Sequence, residues 1–255
     1  MSRAHPLIAI IQLFESGPPV RSAEDIGGAL GMPVSTTYRH IRALVDAGLL
    51  DPVSGGGYAL GPGFIRYDRV LRQSDPLLRV AEPIMKTLLQ RTSRQATVIL
   101  CRRFRDCVMC VHEVRGDRPH PPTSYERGVA MPMFLGATSK AILAHLPDRT
   151  LKNVYLANEE TIRRTLKVKD WKGFKDQFRA IRRSGYALTD SEIAKGRIGL
   201  AAPIFRGSQV VCAISLVALP SEAERTRIER YIPLVVGAAA EISKGLSGEP
   251  TIVSR

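Results

Sequence analysis

The segment that most constrains the fold runs from residue 22 to residue 60, because it combines short periodic stretches with tight connections. Ser22 stands where a helix N-cap belongs and Asp25 follows at the capping-box position, so residues 23–30 are predicted to be helical. The turn "GMPV" separates them from "STTYRHIRALVDA", which has helical periodicity and stops at Gly48. This pattern predicts two short helices packed at an angle.

Further elements extend the pattern on both sides. Residues 6–16 have apolar positions at helical spacing, and a Gly-Pro-Pro sequence ends that first helix. After Gly48, two short apolar runs flank a glycine-rich stretch, which predicts a β-hairpin with its tip at 54–57. Helix, helix, turn, helix and hairpin is the order of elements in a winged helix-turn-helix.

The third helix is predicted to have Ser35 as its N-cap and to run to about Ala47. Its apolar face is expected to pack on the first two helices and consists of Tyr38, Ile41, Leu44 and Val45. The opposite face holds side chains suited to base edges and phosphates, namely Thr36, Arg39 and His40, together with Ala43. The alternative is that these polar side chains only face solvent. The hairpin and the short turn favour DNA binding.

The charge distribution complicates a DNA-binding function. The 255 residues carry a formal net charge of +13, which is typical of proteins that bind nucleic acid. Up to residue 78, however, seven basic and seven acidic residues cancel, so the excess lies entirely in residues 79–255. Its densest part, residues 161–183, is interpreted as a solvated helix face. A neutral DNA-binding segment favours a dimer, because phosphate contacts add over two copies.

Composition and cysteine spacing argue against several other classes of protein. No apolar run is long enough to span a bilayer and no signal-peptide core is present, so a cytoplasmic protein without membrane contact is expected. Cys107 and Cys110 form a lone C-x-x-C whose thiols point to opposite faces of a strand, which predicts neither a metal site nor a cofactor. Cys101 and Cys212 are expected in the core. Redox sensing through the cysteines stays open as an alternative.

An enzyme is the main competing class. The sequence has no glycine-rich phosphate loop of known spacing, no H-E-x-x-H and no G-x-S-x-G. His112 and His145 stand without the partners that acid–base or nucleophilic catalysis needs. No catalytic residue is therefore predicted, and an uncharacterised enzyme stays as an alternative.

The region after the hairpin predicts an α+β fold in which helices flank an antiparallel sheet. The expected elements are a helix over 64–74, a helix over 80–93, two strands joined at Arg105-Asp106, a proline-rich loop over 117–127, a helix from about Gly136-Ala137, a helix over 173–184, a hairpin turning at 206–208 and a final helix over 221–246. The predicted domains are residues 1–63, a linker helix over 64–79, a second domain over 80–248 and a tail over 249–255.

With these motifs in order, the chain resembles the IclR family of bacterial transcriptional regulators from about residue 7 to residue 246. The resemblance rests on "SAEDIGGALGMPVSTTYRHIRALVDAGLL" and "GYALGPGFI", followed by "MPMFLGATSKAILAHLP", "FRAIRRSGYALTDSE", "GRIGLAAPIF" and "VCAISL". It implies an N-terminal winged helix-turn-helix, a linker helix and a C-terminal GAF-like effector-binding domain. It also implies double-stranded operator DNA, a small organic acid effector and a homodimer or homotetramer as partners, with control of a catabolic operon.

The resemblance also implies site residues. For DNA they are Ser22, Ser35, Thr36, Thr37, Arg39, His40, Arg42 and Tyr58. For the effector they are Met131, Gly136, Ala137, Thr138, Thr189, Asp190, Arg197, Gly199, Ser215 and Val217, with His120 nearby. Gly199 stands where relatives usually have cysteine, which enlarges the expected pocket. A carboxylate larger than a two- or three-carbon acid, such as an aromatic one, is therefore predicted.

Overall fold

The computed structural model describes residues 5–92, 95–116, 125–218 and 228–247. The chain divides into two compact units between Ser74 and Asp75. The N-terminal unit consists of α1 (Pro6–Gln12), a 3-10 turn (Leu13–Glu15), α2 (Ala23–Leu30), α3 (Val34–Asp46), β1 (Leu50–Pro52), β2 (Tyr58–Leu60) and α4 (Gly63–Ser74). This order of elements confirms the predicted winged helix-turn-helix.

The beginning of α2 confirms the predicted capping box. The backbone N–H of Asp25 donates to Ser22 Oγ at 3.0 Å, and that of Ser22 donates to Asp25 Oδ2 at 3.0 Å. Gly31 ends the helix with a φ of 63°, a left-handed conformation that favours glycine. The buried core of the unit consists of Ile10, Ala23, Ile26, Ile41, Leu44 and Leu50.

The start of α3 differs from the prediction, because Pro33 and not Ser35 occupies the N-cap position. No side chain caps this helix; the backbone N–H of Thr37 donates to the carbonyl of Pro33 at 2.9 Å. Ser35 is thus the second residue of the helix, and its side chain is exposed. Because the helix begins at Val34, Ser35 lies inside its first turn, where its hydroxyl cannot act as the N-cap.

The buried face of α3 also differs from the prediction. Thr37, Ile41 and Leu44 are buried, whereas Tyr38 is 47% exposed. Thr37 Oγ1 donates to the carbonyl of Pro33 at 3.1 Å, which satisfies the buried hydroxyl. A Cβ at Gly27 would lie 3.0 Å from Thr37 Oγ1, so glycine in α2 permits the close approach that places Thr37 inside.

The hairpin has the predicted position. Leu50 pairs with Leu60 and Pro52 with Tyr58 in antiparallel register, and residues 53–57 form the connection. The backbone N–H of Val53 donates to the carbonyl of Gly57 at 3.0 Å and closes the turn.

The C-terminal unit combines a curled antiparallel sheet with helices on both faces. Its described elements are α5 (Pro76–Arg91), β3 (Thr97–Phe104), β4 (Cys107–Arg115), β5 (Ala130–Pro132), α6 (Ala137–Leu143), α7 (Asp148–Ala157), α8 (Glu159–Leu166), α9 (Trp171–Ser184), β6 (Ala187–Asp190), β7 (Ile198–Arg206), β8 (Gln209–Ala218), a 3-10 turn (Glu229–Tyr231) and α10 (Ile232–Gly245). The described strands pair in the order β5-β4-β3-β8-β7-β6. The α+β class is therefore confirmed.

Alternating side chains of the central strands enter two different cores. Val98 and Leu100 of β3 pack with residues of α5 and α10, whereas Ile99 and Cys101 pack with residues of α6 and α9. Both faces of the sheet are buried as a result. Within the described part of the chain, no helix has the length and apolar composition that crossing a lipid bilayer requires.

Several boundaries differ from the sequence prediction. The helix expected over 80–93 begins already at Pro76, because the Asp75 side chain accepts from the backbone N–H of Leu77 at 3.0 Å and proline is tolerated at the first helical position. The basic run 161–183 contains parts of α8 and α9, which bury Ile162, Phe174 and Phe178. The final helix begins at Ile232 among the described residues. The loop residues 117–124 and the segment 219–227 lie outside them.

Asp75 connects the start of α5 to the sheet. Its carboxylate receives Nη1 and Nη2 of Arg102 in β3, both at 2.9 Å, in addition to the N–H of Leu77. Asp75 is 8% exposed, so loss of the carboxylate leaves a largely desolvated guanidinium without its anion.

We expect Asp75→Ala to lower the free energy of unfolding of the C-terminal unit by about 3–5 kcal/mol. Urea denaturation followed by the fluorescence of Trp171, the single tryptophan, measures this loss. Asp75→Asn keeps an oxygen for the Leu77 N–H and is expected to lose less. Equal stabilities of Asp75→Ala and the unmodified chain would contradict the assignment.

Candidate functional sites

The free face of α3 presents donors close to the N-terminal end of the helix. Ser35, Arg39 and Arg42 are exposed, and Thr36 and His40 are half-buried. Arg39 makes no ion pair with any residue in the described part of the chain, so its guanidinium is available to a ligand. Five of the eight residues predicted for DNA thus lie on this helix with accessible side chains.

The other three predicted DNA residues differ in position. Thr37 is fully buried and uses its hydroxyl within α3, so its side chain is not available to DNA, contrary to the prediction. Ser22 and Tyr58 are half-buried beside the start of α2, where Tyr58 exchanges two backbone hydrogen bonds with Arg21 at 2.8 and 3.0 Å. The Ser22 hydroxyl accepts a bond in the capping box and keeps its own proton for a further acceptor.

A small cavity lies in the C-terminal unit between the sheet and the beginning of α6. Its volume is about 40 Å³, room for roughly three water molecules. Eight of the ten residues predicted for the effector line it: Gly136, Ala137, Thr138, Thr189, Arg197, Gly199, Ser215 and Val217.

Strand register explains why residues so distant in sequence meet in this wall. Thr189 of β6 pairs with Gly199 of β7, and Gly199 pairs with Val217 of β8, so the three residues form one row across the sheet. A Cβ at Gly199 would lie 3.2 Å from Thr189 Oγ1 and 3.3 Å from Ala137 Cβ. Any larger residue at position 199 would therefore fill the cavity.

The cavity contains polar groups without partners. Ser215 is 1% exposed, and its Oγ has no hydrogen-bond partner among the described residues. At the opposite wall, α6 begins with Ala137, and the first backbone N–H groups of a helix have no acceptor within it. A hydroxyl and amide groups so placed are suited to an organic ligand that brings its own oxygen atoms.

The Glu192 carboxylate reaches the beginning of α6 from the segment between β6 and β7. Its Oε2 accepts from the backbone N–H of Gly136 at 2.7 Å, and its Oε1 forms an ion pair with Lys140 Nζ. Tyr125 donates to the carbonyl of Leu135 at 3.0 Å and lies 3.1 Å from Ser139 Oγ. Burial raises the pKa of Tyr125, so this phenol stays protonated.

Two of the residues predicted for the effector do not line the cavity, and four residues that line it were not predicted. The cavity wall does not include Met131, which is buried beside α6, or Asp190, whose carboxylate accepts from Ser191 Oγ. His120 lies outside the described residues. Sequence reasoning missed Tyr125, Glu192, Ile193 and Ala194. One signal was available for Glu192, because Lys140 in an otherwise uncharged, buried helix requires a carboxylate partner.

The cysteines lie where the sequence analysis expected them. Cys101, Cys110 and Cys212 are buried and Cys107 is half-buried. Burial raises the pKa of the Cys101, Cys107 and Cys212 thiols, whereas a hydrogen bond from Cys101 lowers that of Cys110. Protonated, buried thiols react slowly.

Family models match both units. A model described as the C-terminal part of the bacterial transcriptional regulator IclR matches residues 70–244, and a helix-turn-helix domain model matches residues 8–53. The HTH-type transcriptional regulator KipR of Bacillus subtilis is 23% identical over 240 residues, which cover 93% of this chain and 94% of the relative. The transcriptional repressor IclR of Escherichia coli is 25% identical, covering 86% of this chain and 80% of the relative.

Solved structures agree with this assignment at the level of the fold. An IclR regulator from Alicyclobacillus acidocaldarius has a TM-score of 0.76 at 19% identity and covers 94% of this chain and 96% of its own. An IclR homologue from Microbacterium hydrocarbonoxydans, solved with 4-hydroxybenzoate, has a TM-score of 0.71 at 21% identity, with 94% and 97% covered. Because the IclR model alone matches more than half of the chain, this protein belongs to the IclR family of bacterial transcriptional regulators, which are not enzymes, and combines a helix-turn-helix with a C-terminal effector domain.

Proposed function

We propose that this chain is a repressor or activator that binds a specific operator and that a small carboxylate effector controls this binding, so that a catabolic operon responds to its metabolite. The observation that carries the proposal is the pairing of two features. One unit has a helix-turn-helix with a free polar face, and the other has a cavity with the unpartnered Ser215 hydroxyl.

The α3 helix is proposed to enter the major groove. In helix-turn-helix proteins the N-terminal part of the second helix contacts base edges, and here that part holds Ser35, Thr36, Arg39 and His40. Arginine bonds guanine O6 and N7 with two parallel donors, which makes Arg39 the strongest candidate for reading a base. Ser35 and Arg42 are assigned to phosphates.

A homodimer or homotetramer is proposed as the DNA-binding form. The neutral N-terminal segment offers few phosphate contacts per copy, and contacts from two copies add in one complex. The effector is proposed to change the separation of the two α3 helices in the dimer, with α4 transmitting the change.

An aromatic or similarly bulky carboxylate is proposed as the effector. The IclR homologue solved with 4-hydroxybenzoate supports this class, and so does the absence of a side chain at Gly199. The backbone N–H groups from Gly136 to Thr138, at the beginning of α6, are assigned to the carboxylate, and Ser215 and Thr189 to polar substituents of the ligand.

We expect Arg39→Ala to weaken binding to the operator by roughly 10- to 100-fold, because one bidentate base contact is lost in each half-site. Fluorescence anisotropy with DNA from upstream of the protein's own gene measures the affinity. Arg164→Ala, which removes an exposed arginine of α8, is the matched control and is expected to leave the affinity unchanged. Operator binding by Arg39→Ala at full affinity would refute the assignment of α3. Effector binding is expected to be intact in both variants.

Calorimetric titration with glyoxylate, pyruvate, benzoate and 4-hydroxybenzoate tests the effector class. The aromatic acids are expected to bind and to change operator affinity. Tight binding of glyoxylate or pyruvate without any response to the larger acids would contradict the proposal.

We expect Gly199→Val to abolish binding of the aromatic acids, because the added side chain fills the space between Thr189 and Ala137. The same calorimetric titration measures the loss. Gly237→Val in α10 is the control, since a Cβ at Gly237 meets no atom within 4 Å in the described structure. Unchanged affinity in Gly199→Val would place the ligand elsewhere.

A further inference from the structure

The cavity at the beginning of α6 already holds a carboxylate, and that carboxylate belongs to the chain itself. Glu192 Oε2 accepts a hydrogen bond from the backbone N–H of Gly136 at 2.7 Å, and Oε1 forms an ion pair with Lys140 Nζ. Glu192 also lines the cavity, so its anion lies beside the groups assigned to the effector. The Ser215 hydroxyl in the same cavity has no hydrogen-bond partner among the described residues, so the cavity offers a polar group that the chain itself does not use.

The buried Lys140 side chain requires a negatively charged partner. Its side chain is only 4% exposed, because the whole of α6 is buried against β7, β8 and α9. A buried ammonium group without an anion is strongly unfavourable, so the ammonium form of Lys140 needs a carboxylate beside it. If Glu192 leaves, an anion that takes its place keeps Lys140 paired.

The segment 191–196 contributes one wall of the cavity, and its two ends are tied together. The backbone N–H of Ser191 donates to the carbonyl of Arg197 at 2.7 Å, and that of Gly196 donates to Ser191 Oγ at 3.0 Å. Between these ends, Ile193 packs on Gly136 so closely that a Cβ at Gly136 would collide with it. Glu192 and Ile193 are thus the side chains of this segment that hold it on α6.

The cavity in this arrangement of the segment is too small for the proposed ligand. Its volume is about 40 Å³, whereas pockets for organic ligands measure about 300 Å³ or more. Outward movement of the segment that carries Glu192 and Ile193 enlarges the cavity without disturbing the sheet, because this segment lies between β6 and β7 and belongs to neither. The same movement takes the carboxylate away from Lys140.

We propose that Glu192 is an internal competitor of the effector: the effector carboxylate replaces the Glu192 carboxylate at Lys140 and the Gly136 N–H while the segment 191–196 opens. This inference rests on the proposed function, since it concerns the same cavity. It has two consequences. Affinity for the effector is reduced by the free energy of the internal contact, and a ligand without negative charge is rejected because it leaves Lys140 unpaired.

Glu192→Gln tests the competition with the full-length protein. Glutamine keeps the size of the side chain but removes its charge, so benzoate and 4-hydroxybenzoate are expected to bind about tenfold more tightly or better in calorimetric titration. Glu160→Gln makes the same charge change at an exposed position of α8 and is expected to bind like the unmodified chain. Equal or weaker binding by Glu192→Gln than by the unmodified chain overturns the inference while leaving the proposed function intact.

A double variant covers the case in which Glu192→Gln fails to fold. Lys140→Met with Glu192→Gln removes both charges of the ion pair, and urea denaturation followed by Trp171 fluorescence verifies folding. This variant is expected to bind benzamide as well as benzoate, whereas the unmodified chain binds benzoate alone. Continued preference for benzoate in the double variant overturns the inference. If neither the unmodified chain nor any variant binds either aromatic acid, the proposed effector class itself fails.

Discussion

Burial of the central strands on both faces is the constraint on which the C-terminal unit depends. Side chains of β3, β7 and β8 alternate between a core under α5 and α10 and a core under α6 and α9. Neither core closes without its helices, because one face of the sheet would otherwise expose a continuous apolar surface. This arrangement leaves α6 almost no contact with solvent, and every residue from Ala137 to Leu143 is buried.

The burial of α6 has chemical consequences. Apolar residues gain from it, but Lys140 needs a carboxylate, and the amide groups at the start of the helix need acceptors. Glu192 supplies both, to Lys140 and to the Gly136 N–H. The proposed effector site is thus a place where the packing of the sheet creates a demand for negative charge, and where the chain meets that demand with a residue from a separate segment.

The N-terminal unit differs from this, because its core is small and the face of α3 that is proposed to bind DNA is exposed. Gly27 lets Thr37 approach α2, and this contact sets the rotation of α3 about its axis. That rotation turns Tyr38 outward and leaves Arg39 accessible near the start of the helix. The surface proposed to read DNA is therefore positioned by a buried threonine and a glycine, and neither residue is part of that surface.

The sequence by itself determined the features that depend on neighbours a few residues apart. The capping box of Ser22 and Asp25, the hairpin after Gly48 and the strands on either side of Arg105 follow from local hydrogen-bonding chemistry and periodicity. The α+β class followed from the order of the predicted helices and strands, whereas eight of the cavity residues came from the resemblance to the family. Helix α7, which packs through Leu151 and Tyr155, was not predicted, and α8 was interpreted only as part of a solvated, charged helix face although it buries Ile162.

The tertiary structure alone decided which residue meets which across long stretches of chain. Glu192 lies 56 residues from Gly136 and 52 from Lys140, and no periodicity in either segment specifies that pairing. The exchange of Tyr38 for Thr37 in the buried face of α3 likewise depended on the absent side chain of Gly27 in another helix. These contacts are determined by shape complementarity and by the free-energy cost of an unpaired buried charge. Both arise only after the helices and strands have packed.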